Sequence, residues 1–290
     1  MNSVMNRLSV IVSVILASFT TLVNAQETPT KQYEDPYATG FNKYSVRPIH
    51  TSDIMYKKTI IRAVDLREKQ NLPMFSRNRE ISRLLIEATL AGTITPYASD
   101  SLDNGDKLTL DRYRQLLLVP NDGPQYTPED TAMMFANEDY SYRAISIGGD
   151  SFFPTDIYQM EIKEDWLFDR QRSRQYFDVN VITIFVPSDH PSNIKGIQYP
   201  IASYSYKELC EKLFKDNPKA IWFNPQNERE HKNLADAFDL RLFSSYIIKV
   251  SNPKDAYLTD IYGGDQQKGI MASQWAAFEL LEYEHNLWEF

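Results

Sequence analysis

The chain has 290 residues, one cysteine and a formal net charge of −8. A chain this acidic is poorly suited to bind nucleic acid or an anionic membrane unaided. The lone Cys210 excludes an intramolecular disulfide, so the fold must rest on packing, with about three quarters of the unfolded surface buried at this length. Aromatic residues make up 13% of the chain, 18 of them Tyr, which suits a large core and protein contacts.

Residues 1–25 read as a cleavable signal peptide. Arg7 supplies the positive start, residues 8–23 form an apolar run diluted by Ser and Thr, and Val23-Asn24-Ala25 offers an A-x-A-like cleavage site. Removing it leaves 30 basic and 39 acidic residues, a net charge of −9. No Cys stands at the cleavage point, so no direct lipid anchor is expected. Residues 26–45, with Pro29, Pro36 and Gly40 and little aliphatic content, read as an extended arm. With no later linker or repeat, residues 46–290 are expected to form a single domain.

Thr51 or Ser52 can cap a helix reaching about Asn71, with Ile54, Ile61, Val64 and Glu68 on one stripe and Pro73 just beyond its end. Within it, Asp53 to Lys57 and Asp65 to Lys69 would be supporting i, i+4 pairs. A second helix over 79–91 aligns Ile81, Leu84, Leu85 and Ala88 and stops at Gly92. Shorter helices are expected over 108–119 and 128–137. The period then changes to two. Tyr158, Met160, Ile162, Trp166 and Phe168 all fall on even positions, and after residues 169–174 an almost wholly apolar run covers 176–186. That pattern is a β-hairpin, with the second strand expected to be the more deeply buried.

Residues 206–214 read as a helix, 220–223 and 241–250 as strands, and 270–288 as a long C-terminal helix. Met271, Trp275, Phe278 and Leu281 recur at helical spacing there, with His285 and Trp288 extending the stripe. The fold class is α+β, a mainly antiparallel sheet with a central β-hairpin covered by helices.

No constellation compels an enzyme. Gly149-Asp150-Ser151 resembles the nucleophile block of GDS-type esterases, but it lies mid-chain, and the only analogue of their closing Asp-x-x-His is Glu282-Tyr283-Glu284-His285. A hydrolase using Ser151 or a carboxylate pair such as Asp165 and Asp169 is the alternative functional reading. Cys210 sits where a small core residue is expected. His50, His190, His231 and His285 lie far apart and match no metal-ligand spacing. Asp100, Asp103 and Asp106 around Gly105 lack the alternate oxygens and closing Glu of an EF-hand loop. Gly263-Gly264-Asp265 lacks the spacing of a phosphate-cradling loop. No catalytic residue, cofactor or metal is therefore assigned.

Three blocks carry a family likeness: Arg47-Pro48-Ile49 with the stretch from Ser52 to Pro73; the stretch from Tyr158 through Glu164-Asp165-Trp166-Leu167-Phe168-Asp169 to the turn Arg170-Gln171-Arg172-Ser173; and the ending Glu282-Tyr283-Glu284-His285-Asn286-Leu287-Trp288-Glu289-Phe290. In order and spacing they resemble the GldN/PorN family of the type IX secretion and gliding machinery over most of residues 46–290, least clearly between Thr93 and Asp150. The resemblance implies a non-enzymatic component in the periplasm, at the inner face of the outer membrane. There it would self-associate in a ring with a GldK/PorK-type lipoprotein and meet the GldM/PorM motor shaft. It implies no catalytic residue. By parity the rings of Trp166 and Phe168 belong to the core, with Asp165 and Asp169 on the opposite face, while the turn arginines Arg170, Arg172 and Arg174 are expected to be exposed and able to pair with an acidic neighbour.

Overall fold

A computed structural model describes residues 36–119 and 151–286, apart from 192, 194, 195 and 216. The expected signal peptide, the first part of the expected arm, the expected helix over 128–137, Gly149, Asp150 and Trp288 lie outside the described residues. The compact unit begins at Pro36 rather than at residue 46. Asn42 and Ser45 are buried, and Asn42 Nδ2 donates to Asn180 Oδ1 at 2.9 Å, so the end of the expected arm belongs to the fold.

The architecture is α+β. Five antiparallel strands run in the order β4-β3-β2-β1-β7, where β1 is Ile54–Asp65, β2 Gln159–Asp169, β3 Arg174–Val186, β4 Tyr199–Ser205 and β7 Tyr246–Val250. A separate two-stranded sheet pairs β5, Ile221–Trp222, with β6, Lys232–Asn233. The helices are α1 Ile81–Leu90, α2 Leu110–Leu117, α3 Tyr206–Glu208 continued by a π-helical turn over Leu209–Phe214, α4 Leu234–Asp239, α5 Leu258–Ile261 and α6 Gln266–Asn286.

The hairpin forms where period two places it. Its second strand is not the more buried one, however. β2 is the middle strand of five and is buried along most of its length, whereas β4 covers only the second half of β3 and leaves the first half at an edge. The largest difference is at residues 51–71, which form a short 3-10 turn, strand β1 and a tight turn, not a helix. Thr59, Ile60, Ile61 and Val64 are β-branched and favour a pleated strand. Pairing with β2 from Asp65↔Gln159 to Ile54↔Asp169, and with β7 on the other edge, decides the matter. The supposed helical ion pairs vanish with the helix: Lys57 meets Asp165 at 3.1 Å and Asp65 meets Arg67 at 2.9 Å.

α1 ends as its Gly predicts. Gly92 has φ +72°, and the N–H groups of Gly92 and Thr93 donate to the carbonyls of Thr89 and Ala88, the hydrogen-bond pair of a Schellman motif. Thr109 caps α2 by accepting from the Arg112 N–H at 3.3 Å. α1 and α2 pack on the sheet through Leu84, Leu85 and Tyr113, and a buried chain of hydroxyls, Thr89 to Tyr204 to Tyr113, joins both helices to β4 at 3.1 Å per step. In this apolar setting each hydroxyl needs its partner, and the chain supplies it.

Candidate functional site

β1 and β2 share an even-numbered face, because Lys58 pairs with Trp166, Ile60 with Glu164 and Arg62 with Ile162. That face carries two apolar clusters. One holds Val64, Met160, Ile162 and Ile182 with α1, α2 and α3. The other holds Ile60, Trp166 and Ile247 with Ala276 and Leu280 of α6.

Glu164 stands in the same even-numbered row and is 0% exposed. A register shift between Lys163 and Glu164 sets it opposite Val179. Arg62 Nε binds one carboxylate oxygen at 2.5 Å, and Arg241 reaches both oxygens, at 2.8 and 3.2 Å. Arg241 adopts φ +52° and lies over the Phe177 ring at 4.3 Å. A buried carboxylate needs this degree of compensation to remain charged.

α6 docks through small residues. Ala272, Ser273 and Ala276 face inward, and a Cβ on Gly269 would come within 2.6 Å of Thr259 Cγ2 on α5, so only glycine permits that approach. At its C-terminal end Tyr283 stacks on Tyr56 at 4.2 Å, and Trp166 meets Tyr56 edge-on at 4.9 Å while its indole N–H donates to Gln175. Trp166 is 1% exposed and Phe168 is buried too, as parity requires. Asp165 and Asp169 do lie opposite these rings, yet both are buried rather than solvated.

The large apolar residues of α6 point the other way. Met271, Trp275, Phe278 and Leu281, expected to form a core stripe, are exposed, Trp275 by 73% and Phe278 by 67%, and Ile270 joins them. The helical spacing is real, but the alanines repeat at the same period and are the residues that fit against the sheet. α6 is thus apolar on both faces, a pattern that belongs to a helix covered on both sides.

Asp169 accepts the N–H groups of Gln171 and Arg172 and binds the Arg172 guanidinium at 2.9 Å, which holds its carboxyl below the usual carboxylate range despite burial. Arg170, Arg172 and Arg174 are exposed, as expected. Arg172 and Arg174 line a cleft of about 600 Å³ with Arg47, Tyr176 and Arg241.

On the odd-numbered face, Asp165 and Asp178 are directly opposed on β2 and β3. Thr59 and Lys57 bind Asp165 at 2.6 and 3.1 Å, while burial together with the Asp165 charge pushes the Asp178 carboxyl up to about 6. Glu161 borders two clefts, of about 690 and 390 Å³, and burial with the nearby Asp100 pushes it up to about 7. Sequence reading missed both groups, because a single acid on a half-buried strand looks solvated. A carboxyl whose folded pKa is raised binds more protons folded than unfolded. Its cost is therefore absent below the unfolded pKa and grows as pH rises to about 7. Glu161→Gln is expected to raise stability at pH 8 by about 1–3 kcal/mol and to flatten the decline in melting temperature between pH 5 and pH 7. An unchanged pH profile in the variant would remove Glu161 as the cause.

Other chemistry suggested by the sequence is not assembled. Ser151 is exposed and its side chain makes no hydrogen bond among the described residues, and neither does it meet His285, which lies on the solvent side of α6. His190 stands edge-on to the neighbouring Phe152 and 3.6 Å from Asp156. Ser151→Ala is expected to leave both thermal stability and secretion unchanged; a hydrolytic activity of the wild type that this variant loses, with secretion unaffected, would restore Ser151 as a candidate nucleophile. Burial pushes the Cys210 thiol up to about 11, the opposite of an activated nucleophile. His231 caps a turn, accepting from the Asn224 N–H at 3.1 Å. Asp106 and Asp103 accept hydroxyls from Ser99 and Ser101, and Asp100 binds Lys163 at 3.0 Å. Among the described residues no group of three or more potential metal ligands forms. Gly263 and Gly264, both at positive φ, turn the chain into α6, and Asp265 accepts the Gln267 N–H near its start.

The described residues thus define an α+β domain, a five-stranded antiparallel sheet with helices, whose surface carries an exposed apolar helix face and an arginine-lined turn. The chain belongs to the GldN family: the family model for the gliding motility associated protein GldN matches residues 49–289. Membership implies a component of the gliding motility and type IX secretion machinery, and the family is not a known enzyme family. No curated protein matches the chain. No helix among the described residues is long and apolar enough to cross a membrane.

Proposed function

We propose that the chain is a non-enzymatic structural component of the type IX secretion apparatus, working in the periplasm beneath the outer membrane. In this reading it forms a ring with a GldK/PorK-type lipoprotein, contacts the GldM/PorM motor shaft and serves gliding where the cell glides. The observation that carries it is the outward face of α6, where Trp275 and Phe278 stand in solvent. Monomeric proteins rarely leave a contiguous apolar patch of this kind open, and such patches mark interaction sites. The signal peptide read from residues 1–25 supports the compartment, and the absence of a lipid-accepting Cys in it makes the lipoprotein the natural tether.

Deleting the lipoprotein is expected to release the chain from the outer-membrane fraction or to deplete it, as fractionation and immunoblotting would show; unchanged membrane association contradicts the tether. The turn arginines offer a second contact. Reversing Arg170 and Arg174 to Glu is expected to impair ring assembly and secretion with the fold intact, because their side chains are exposed and Arg172, which binds the buried Asp169, is left in place. Normal assembly in that variant removes the turn from the interface.

A further inference from the structure

β4 pairs with β3 only over Val181 to Val186, because the chain leaves the sheet at Ser205 and turns into α3 at Tyr206. The first part of β3, from Arg174 to Asp178, therefore has β2 on one side and no strand on the other. In an antiparallel pair alternate residues turn both their N–H and C=O groups away from the partner strand. On this stretch none of those groups finds a hydrogen-bond partner among the described residues. The open edge is about 17 Å long at roughly 3.4 Å per residue. The cleft of about 600 Å³ runs along it, and its lining includes all six residues from Arg174 to Val179. Neighbours on a strand point to opposite faces, so a cleft that touches six in a row opens on the edge and not on a face.

The rim of this cleft is rich in unused donors. Arg174 has no acidic partner among the described residues. Arg47 spends one nitrogen on Asp239 at 2.8 Å and Arg172 one on Asp169 at 2.9 Å, and 80% and 65% of their side chains stay in solvent. A guanidinium carries five N–H donors and no acceptor, so most donors of these three residues are free. Arg241 is different, because Glu164 takes up both arms of its fork. The two aspartates in the lining are engaged, Asp239 by Arg47 and Asp178 by Ser45 and Asn42. What the rim lacks is acceptors for its arginines.

We propose that this edge receives an extended acidic segment of another protein, which adds a strand beside β3 in line with β4. β3 sets Arg174 and Tyr176 on the face it shares with Asp169 and Leu167, and Gln175, Phe177 and Val179 on the other. Acids at alternate positions of the added strand then meet Arg174 and the rim, while the residues between them pack beside Phe177. Main-chain hydrogen bonds give such strand addition its affinity, and the alternate side chains give it specificity. A second copy of this chain is the poorer occupant, because its edge strands β4 and β7 contain no acid to offer the arginines. The inference rests on the reading of the arginine turn as a contact and adds the conformation and charge of what meets it.

The test uses the full mature chain and three synthetic peptides: one alternating glutamate with valine, one alternating lysine with valine, and the glutamate peptide methylated at each backbone nitrogen. Binding is followed by calorimetry and by amide hydrogen exchange over residues 174–178. The plain glutamate peptide is expected to bind at least tenfold more tightly than either of the others and to slow exchange at 174–178. Its affinity should fall severalfold between low and high salt. Arg174→Glu is expected to weaken this binding at least tenfold with an unchanged melting temperature. Equal binding of the lysine peptide, or unchanged binding by Arg174→Glu, overturns the proposal. Undiminished binding of the methylated peptide also overturns it, since that marks an anion site with no added strand. So does a wild-type dimer in which 174–178 are protected without peptide, with a second copy as the occupant. If the glutamate peptide binds as expected but Arg170→Glu/Arg174→Glu leaves ring assembly intact, the reading of the turn as a ring contact fails alone. If that variant loses assembly while no peptide is preferred, the strand proposal fails alone.

Discussion

Replacing Glu164 with alanine is expected to destabilise the domain by about 3 kcal/mol, because it leaves Arg62 and Arg241 facing each other without the carboxylate that neutralises them. Breaking a buried ion pair from one side costs about 3–5 kcal/mol, and the lower end applies because 28% of the Arg241 side chain stays in solvent. Arg241 also sits in the left-handed backbone region, a strain its bidentate bond helps to hold. Glu164→Gln should fall between wild type and alanine, since the amide keeps one acceptor but loses the charge. Exchanging all three residues for apolar ones of similar volume should cost far less than the single alanine, because no unpaired charge remains. Urea unfolding of the four proteins decides this; a loss below about 1 kcal/mol for Glu164→Ala would show that the two arginines do not need the buried carboxylate.

Trp166→Ala is expected to cost about 3–5 kcal/mol, as large-to-small changes of a fully buried aromatic do. Its effect should also spread to α6. The indole closes the Ile60–Ala276–Leu280 cluster and braces Tyr56, on which Tyr283 stacks, so its loss removes support from the C-terminal half of the helix. Hydrogen exchange should show faster opening over 266–286 than over α1, which packs in the other cluster. Uniform loss of protection across both helices would mean that the two clusters open together and that α6 has no separate attachment.

The sheet was legible at the β2–β3 hairpin, whereas β4, which follows β3 closely and pairs with it, was not expected. Period two from Tyr158 to Phe168 gave the hairpin, its turn and the burial of both rings. It also carried an unread signal, a charged Glu164 in an otherwise apolar even row. β1 was not legible by spacing. Ile54, Ile61 and Val64 satisfy a helical template, yet Ile61 and Val64 fall on opposite faces of a strand, and the pairing that decides lies about 100 residues away in β2 and 190 in β7. In α6 the period was right and the direction wrong. Spacing finds a stripe but does not say which of two stripes meets the sheet. Alanines allow a close approach, so they took the inside and left Trp275 and Phe278 outside. That reversal moved a presumed core feature to the surface, where it bears on function.

In the proposed function the chain works by assembly, through the outward face of α6. Sedimentation velocity of the purified full mature chain mixed with the GldK/PorK-type lipoprotein tests it most directly, comparing wild type with Trp275→Glu/Phe278→Glu. A large complex is expected for the wild type and a fast-to-slow shift to separate components for the variant, with both chains equally stable on heating. A wild-type chain that stays monomeric beside the lipoprotein, or a variant that assembles as the wild type does, would contradict it.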